Sequence, residues 1–457
     1  MKVKISIICC VLFGMLSTQA QDKKWTLREC VEYALENNIT IKQSALNLEA
    51  AEIDRSDAMG NFLPSLNANA GNSWSSGLRP DPISGTNSNQ TFRSSNYGLN
   101  SGVTLFDGLR NIRQFQRAKM NKLLSQYNLG KSKDDIALFI ANSYLQVLLN
   151  KESLKVIEKQ HDITLEQLKR TKDLVEAGVL PEGDIFEIEA TSADELTRIV
   201  QAQNAVLIAR VGLAQTLLIK DYEKFDIAEQ KYLVPSTNIL NKSIEEIRST
   251  ARESRYEVQI AEQNKLLAEK DLQIAKGAYY PSLSASLGLG TSESGADRVI
   301  FDEITGEGSL TGPPDFFDQI SDNYGLNYGV SLSIPLFNGF GTRNSVKRSK
   351  INVKRTAFQL EQAELDLDSN VYQAYVDAKG SAEAYEASLV AVKAQERAYE
   401  YAKDRYDVGR TNAFDFSQSK FRLENAQSNE VQAKFDYIFK IKVLELFFGI
   451  KLADIKL

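Results

Sequence analysis

The chain has 457 residues and carries 60 acidic against 54 basic side chains, which gives a formal net charge of −6. Proteins that bind nucleic acids neutralise the phosphates with Lys and Arg, so an acidic chain argues against a nucleic-acid partner. Beyond the N-terminal segment, the sequence contains no run of the roughly 20 apolar residues that a membrane-spanning helix needs. The composition therefore disfavours a nucleic-acid-binding protein and a helical membrane protein.

Residues 1–20 have the pattern of a secretory signal peptide. Two lysines precede the apolar stretch from Ile5 to Leu16, and the small residues that end at Ala20 are typical of a cleavage site. We expect the mature chain to begin near Gln21. Two of the three cysteines lie in this segment, so Cys30 would remain alone and no disulfide is expected to stabilise the fold.

The remaining sequence contains an internal repeat, which we expect to divide it into residues 21–243 and 244–457. Residues 34–66 match residues 251–283 without a gap, and matched positions differ by 217 in residue number. A second ungapped match starts at Tyr97 and has a difference of 231. A repeat of this kind indicates that one supersecondary unit, helix–strand–strand–helix, occurs twice.

Four strands are predicted, two in each repeat, at about 62–74, 96–107, 279–290 and 323–337. From Tyr324 to Leu336, apolar residues alternate with small or polar ones, which is the pattern of a transmembrane β-barrel strand. An ordinary antiparallel sheet with one face in water fits the same pattern. Four strands leave two open edges, which lipid does not tolerate, so a barrel would need other copies of the chain. Two copies are the minimum, and three would supply twelve strands.

The segments that join the strands of each pair are predicted to be exposed loops. These segments, Ser75–Ser95 and Thr291–Asp322, are rich in Gly, Ser, Asn and Asp. The difference between matched positions grows from 217 to 231 between the two matched blocks, so the region that holds the loop is longer by about fourteen residues in the second repeat. Because insertions accumulate at protein surfaces, both loops are expected on the outer side.

One very long helix is predicted in each repeat. The runs Leu109–Ala177 and Phe340–Val408 contain no proline, and an interior proline would cost a helix about 3 kcal/mol. At 1.5 Å per residue each run would span on the order of 100 Å, which predicts an elongated molecule. In the helix that follows the first run, Ile199, Val206 and Leu213 fall on a seven-residue frame, as coiled-coil packing requires.

Each long helix is predicted to end in a turn that leads into a second helix, at about 178–184 and 409–415. Gly178 and Gly409 suit the left-handed conformation just past a helix end. Asp184 and Asp415 are candidates to cap the following helices, because Asp184-x-x-Glu187 and Asp415-x-x-Gln418 both resemble a capping box. The sequence therefore predicts a helical hairpin in each repeat.

Neither enzyme activity nor a cofactor is expected. His161 and Cys30 supply neither a metal-ligand cluster nor a nucleophile with its base. A Gly-rich phosphate loop followed by Lys and Ser or Thr is missing from the sequence, so nucleotide binding is not expected. A periplasmic coiled-coil scaffold protein is the alternative from another class, and it would leave the alternating strands unexplained.

In their order and duplication, the motifs resemble those of the TolC-type outer membrane efflux protein family. The resemblance covers nearly the whole mature chain and rests on the two turns and on five short motifs, which are Leu27–Leu35, Leu63–Leu66, Leu105–Gly108, Tyr280–Leu283 and Ile334–Gly339. Each motif is weak by itself. The resemblance depends on their fixed order, their duplication and the helix lengths between them.

This resemblance implies a mainly α fold with β, in a homotrimer. Each protomer would contribute four strands to a twelve-stranded transmembrane β-barrel in the outer membrane, continued by a long α-helical coiled-coil barrel across the periplasm. The implied partners are outer-membrane lipid, a periplasmic membrane-fusion adaptor and an inner-membrane transporter. The implied function is the exit duct of a tripartite efflux system for small molecules; the alternative is an outer-membrane duct for type I polypeptide secretion.

The resemblance also implies roles for the two turns. The adaptor would dock on exposed turn residues, although the same residues also fit a purely structural turn; they are Gly178, Val179, Leu180, Pro181, Gly409, Arg410, Thr411 and Asn412. Tyr406, Asp415 and Gln418 match positions of the periplasmic constriction. Gln418 stands where a second acidic residue is expected, and Thr411 stands where a basic residue is often found. The alternative for Asp415 is that it only caps a helix.

Overall fold

A computed structural model describes residues 24–80, 87–229 and 237–450, so the predicted signal peptide lies outside the described residues. The first repeat contains, in chain order, β1 (Lys24–Trp25), α1 (Leu27–Asn37), α2 (Ile39–Gly60), β2 (Ser65–Pro80), β3 (Asn87–Phe106), α3 (Arg110–Glu176), α4 (Gly183–Thr216) and β4 (Asp226–Ile227). The second contains α5 (Ile244–Ser254), α6 (Tyr256–Gly277), β5 (Ser282–Ser294), β6 (Arg298–Phe301), β7 (Gly308–Thr311), α7 (Phe316–Asp322), β8 (Gly325–Ser333), α8 (Gly341–Asp407) and α9 (Ala413–Phe447). The repeated helix–strand–strand–helix order is confirmed.

The two long helices have the same length and the same type of C-terminus. Helices α3 and α8 each contain 67 residues, and the glycine that follows each one is left-handed, with φ of +74° at Gly178 and +67° at Gly409. After each glycine, the next N–H donates to the carbonyl five residues earlier. This Schellman arrangement satisfies the last carbonyls of the helix, as the glycines predict.

The four long strands form one antiparallel sheet in the order β2-β3-β5-β8. The first predicted loop is wrong, because β2 continues to Pro80 and β3 begins at Asn87. The pairing of β2 with β3 continues through this extension, and the Thr91 hydroxyl donates to Ser76 Oγ at 2.8 Å. Ser, Asn and Gly are typical of loops, but they also suit a two-stranded ribbon exposed to water on both faces.

The second predicted loop, Thr291–Asp322, is also largely structured. Strand β5 extends to Ser294, β6 pairs with β7 as a separate hairpin, and α7 follows. The side-chain amide of Gln319 in α7 accepts from the N–H of Ser294 at 2.9 Å and donates to its carbonyl at 3.0 Å. Helix α7 therefore covers the edge of β5 beyond the end of β8, where no strand is paired with it.

The chain forms two compact units. One comprises the described parts of residues 24–47, 125–261 and 360–450, and it holds three buried apolar clusters. Cys30 is a buried thiol in the first cluster and forms no disulfide with any described residue. The other unit comprises the described parts of residues 48–124 and 262–359 and contains the four-stranded sheet. Within the ranges given above, none of the helices has a segment both long and apolar enough to cross a membrane.

Candidate functional site at the two helical turns

The two turns pack against each other around a small apolar core. A Cβ on Gly409 would lie 3.3 Å from Cγ1 of Val179, so the backbones of the turns approach closely. The rings of Tyr406 and Phe416 stack with their centroids 5.0 Å apart. The buried members of this core come from both hairpins and are Leu180, Ile188, Tyr406, Ala413 and Phe416.

Tyr406, expected at the constriction, lies in the interior of the protomer. It is fully buried, and its hydroxyl is hydrogen-bonded to Thr171 Oγ1 at 3.0 Å. Burial raises the pKa of the Tyr406 hydroxyl, with the nearby Asp184 and Asp407 acting in the same direction. Tyr406 therefore joins α3 to α8 inside the hairpin pair, and its role at the constriction stays a prediction.

Asp415 does not occupy the N-cap position predicted for it. The N-cap of α9 is Asn412, whose side-chain oxygen accepts the backbone N–H of Asp415 at 2.8 Å. The Asp415 carboxylate in turn accepts the Thr411 hydroxyl at 3.2 Å. The helix thus begins one turn earlier than the sequence indicates, because asparagine is as good an N-cap as aspartate and precedes it.

Asp184 is not an N-cap of its own helix either. Glu182 precedes α4 without a side-chain cap, and Asp184 lies inside α4, where it is 9% exposed. Desolvation raises the pKa of Asp184, and the nearby backbone N–H of Ala413, the first residue of α9, acts in the opposite direction. Asp184 therefore lies against the start of the helix of the other hairpin.

The expected docking residues are mostly accessible, with one exception. Val179 is 51% exposed, and Pro181, Gly409, Arg410 and Asn412 are also exposed. Leu180 is only 8% exposed, because it packs in the core between the turns. Its side chain is therefore buried in this chain, and a role of Leu180 in docking stays an untested prediction.

Asp415 and Gln418 are both exposed and lie one helical turn apart on α9. Phe414 beside them is 59% exposed, and Phe421 one further turn along is 51% exposed. Asp415 is the only carboxylate of the first two turns of α9. The exposed start of α9 thus presents one negative charge, one amide and two aromatic rings.

A buried ion pair, which was not predicted from the sequence, lies about two helical turns into α9. Lys420 of α9 is 3% exposed, and its ammonium donates to Oε1 of Glu195 in α4 at 2.6 Å. The same ammonium donates to Thr164 of α3, and the other Glu195 oxygen lies 3.3 Å from Nδ1 of His161. Desolvation lowers the pKa of Lys420, although Glu195 opposes the shift.

A second, partly buried pair extends this network. Arg198 of α4 contacts Glu424 of α9, and their Nη1 and Oε1 atoms are 2.5 Å apart. Burial raises the pKa of Glu424, with Arg198 acting against it. A cleft of about 400 Å³ opens beside these residues and is also lined by Gln418 and Phe421. The network bonds the first hairpin to the second through charged groups.

Helical spacing would have been the only sequence signal for this network. Lys420 and Glu424 are four residues apart on α9, and Glu195 and Arg198 are three apart on α4. Such pairs are common on solvated helix faces, so their burial depends on the packing of α3, α4 and α9. Among the residues that the structure describes, no group of His, Cys, Asp and Glu is arranged to hold a metal ion.

The fold is that of known outer membrane channels. The crystal structure of the CmeC outer membrane channel of Campylobacter jejuni is similar with a TM-score of 0.79 at 17% sequence identity, over 94% of this chain and 87% of that one. The model of the outer membrane efflux protein family matches residues 30–217 and 247–439. The chain therefore belongs to the outer membrane efflux protein family, whose known members are outer membrane channels.

Two curated relatives extend over most of the chain. Outer membrane protein TolC of Vibrio cholerae serotype O1 is 23% identical over 453 residues, which are 98% of this chain and 96% of that protein. The toluene efflux pump outer membrane protein TtgC of Pseudomonas putida is 23% identical over 413 residues, 88% of this chain and 78% of that protein. The predicted family and the outer membrane location are confirmed.

Proposed function

We propose that the protein is the outer membrane exit duct of a tripartite efflux system that expels small molecules. Its family membership supports a channel, and the toluene pump in the name of the relative TtgC favours a small-molecule cargo. In this proposal three copies of the chain close one pore. A membrane-fusion adaptor and an inner-membrane transporter supply the cargo and the energy.

The two faces of the sheet are the observation that carries the proposal. On β8, Tyr328 is 82% exposed, Val330 67% and Leu332 60%, and all three point to the same face. On the other face, Asn100 donates to Asn69 across the sheet at 2.8 Å. A row of large exposed apolar side chains is unfavourable in water and favourable in lipid, whereas the amide row suits a wet lumen.

The unpaired edges of the sheet support closure by other copies. Among the described strands, β2 and β8 each pair on one side only, and lipid does not tolerate unpaired backbone groups. A barrel of four strands is too small to close around a pore, whereas three copies supply twelve strands. In the proposed homotrimer, threefold symmetry pairs both edges of each sheet with the sheets of the neighbouring copies.

If the adaptor docks at the turns, a disruptive substitution on their surface is expected to abolish export while trimers still form. Val179→Asp places a charge on a half-exposed apolar turn residue, outside the buried core. We expect adaptor capture and drug tolerance to fall to the level of a deletion strain, while heat-modifiable trimers persist on gels. Val179→Thr has the same shape and is expected to keep most of the export.

Leu180→Asp cannot replace this test, because the charge would enter the buried core of the turns and destabilise it. If the Val179→Asp protein captured the adaptor and conferred drug tolerance like the original protein, docking at this turn would be wrong. Loss of trimers in Val179→Asp would show that the substitution acts on folding, and Arg410→Glu would then replace it, since Arg410 is also exposed.

From the exposed carboxylate of Asp415 we predict a constriction in the trimer at which cations block conductance. Threefold symmetry can place three Asp415 carboxylates near one axis, where their mutual repulsion favours bound cations. We expect Asp415→Asn to weaken the block of single-channel conductance by multivalent cations at least several-fold. Asparagine can still accept the Thr411 hydroxyl, so the start of α9 is preserved.

The matched control is Glu182→Gln, which removes an exposed carboxylate from the first turn instead. We expect it to leave the cation block unchanged. Equal block in Asp415→Asn and in the original protein would leave Asp415 with a structural role at the start of α9 only.

A further inference from the structure

The two repeats meet within one protomer at a specific contact between α3 and α6. The guanidinium of Arg117 donates to both carboxylate oxygens of Asp271, with Nε–Oδ1 at 2.5 Å and Nη2–Oδ2 at 3.4 Å. Closer to the sheet, a Cβ on Gly108 would lie 2.2 Å from the carbonyl oxygen of Gly277. This close approach is possible because both residues are glycines.

Each residue of this contact has a counterpart of the same type in the other repeat. A difference of 231 relates Gly108 to Gly339 and Arg117 to Arg348, and a difference of 217 relates Gly277 to Gly60 and Asp271 to Asp54. The sequence therefore contains a second complete set, which consists of Gly339, Arg348, Gly60 and Asp54. A glycine pair and an ion pair that both recur at the matching positions indicate a second copy of the same contact.

Within the protomer this second set is unused. Apart from its own chain neighbours and nearby helix backbone, no atom of the described residues lies within 4 Å of a Cβ built on Gly60 or on Gly339. Arg348 and Asp54 are exposed, and neither forms an ion pair with any residue that the structure describes. Helix α3 is flanked by α2, through an ion pair of Lys122 with Glu52 at 2.6 Å, and by α6. Helix α2 corresponds to α6 in the repeat. The face of α2 that corresponds to the contact face of α6 is therefore uncovered.

We propose that Arg348 of one protomer pairs with Asp54 of the next, and that Gly339 packs on Gly60 of the next protomer. This contact joins α8 to α2 of the neighbour, just as α3 joins α6 within the chain. The inference rests on the homotrimer of the proposed function and adds the residues that join its copies. The occupant of the open face of α2 is therefore a second copy of this chain.

The sheet leads to the same arrangement and gives a strand register. Within the protomer, Tyr97 of β3 lies opposite Thr291 of β5. The differences of 231 and 217 relate Tyr97 to Tyr328 and Thr291 to Trp74. In the proposed contact, β8 of one protomer therefore pairs with β2 of the next, and Tyr328 lies opposite Trp74. Both side chains are exposed in the protomer, Tyr328 at 82% and Trp74 at 67%. Opposed aromatic side chains stabilise antiparallel strand pairs.

Cross-linking between cysteines tests the contact. In a Cys30→Ala background, the pair Asp54→Cys and Arg348→Cys is treated with a short bis-maleimide, because side chains of this length hold their Cα atoms farther apart than a disulfide allows. We expect covalent dimers and trimers on denaturing gels. The matched control, Asp271→Cys with Arg117→Cys, is expected to link within one chain and to run as a monomer.

The outcomes separate this inference from the proposed function. Intact trimers in native electrophoresis without covalent linkage of positions 54 and 348 would overturn the residue pairing and leave the trimer standing. A monomeric protein in the membrane would overturn both. Linkage of positions 54 and 348 within a single chain would also contradict the proposal, because it would place the second contact inside the protomer.

A charge exchange provides a second measurement that does not depend on the cross-linker. Asp54→Arg and Arg348→Asp are each expected to lower the temperature at which trimers dissociate, and the double variant is expected to regain most of the loss. If the two single effects simply add in the double variant, the residues are not paired.

Discussion

Lys420→Met is expected to destabilise the protein by about 3–5 kcal/mol, because it leaves the buried carboxylate of Glu195 without its partner. Glu195 is 1% exposed and Lys420 3%, so neither group can be solvated without opening the helices. Thermal unfolding followed by circular dichroism at 222 nm, with purified protein in detergent, measures the change. The double variant Lys420→Met with Glu195→Gln removes both charges and is expected to regain much of the loss.

The matched control for Lys420 lies on the same helix. Lys440 pairs with Asp377 at 3.0 Å, but the two side chains are 31% and 40% exposed. Partly exposed pairs contribute roughly 0–1 kcal/mol, so Lys440→Met is expected to be mild. Equal effects of the two lysine substitutions would contradict a special role of the buried pair.

Gly108→Ala is expected to cost about 2–5 kcal/mol, through left-handed backbone strain and a steric clash. Gly108 has φ of +72°. A methyl group there would meet the backbone carbonyl of Gly277 at 2.2 Å, which cannot move aside as a flexible side chain would. The expected result is a lower unfolding temperature and a lower yield of folded protein in the membrane.

Gly306→Ala separates the two causes, because Gly306 also has φ of +72° but, apart from its chain neighbours, no atom of the described residues lies within 4 Å of its Cβ position. It carries the backbone strain alone, about 1–2 kcal/mol. The clash at Gly108 would be refuted if both alanine variants unfolded at the same temperature.

The long helices and their ends could be predicted from the sequence because their causes are local. Proline is absent from α3 and α8, and a glycine stands where each helix must turn left-handed. The strands were predictable through the repeat, but the extent of β2 was not. A run of Ser, Asn and Gly becomes strand in this protein only because Asn87 and its successors pair with it.

The interior of the turns could not be predicted in the same way. Leu180 and Tyr406 lie in segments of turn and helix composition, and their burial follows from the contact between two hairpins that are more than 200 residues apart in the chain. Lys420 likewise looks like a surface residue until α3 and α4 cover it. Tertiary packing of distant segments decides these positions, and a single sequence carries no local record of it.

The burial of the Asp184 carboxyl beside the start of α9 makes the contact between the turns sensitive to protons. Desolvation, and to a lesser extent Glu187, raises the pKa of Asp184 while the turns are together. If the turns separate, water solvates this carboxyl and its pKa returns towards the ordinary value of 3.8. The closed contact therefore binds a proton more tightly than the separated one. Its added stability is full below the ordinary pKa and disappears as the pH rises through the raised one, so acidification holds the two hairpins together.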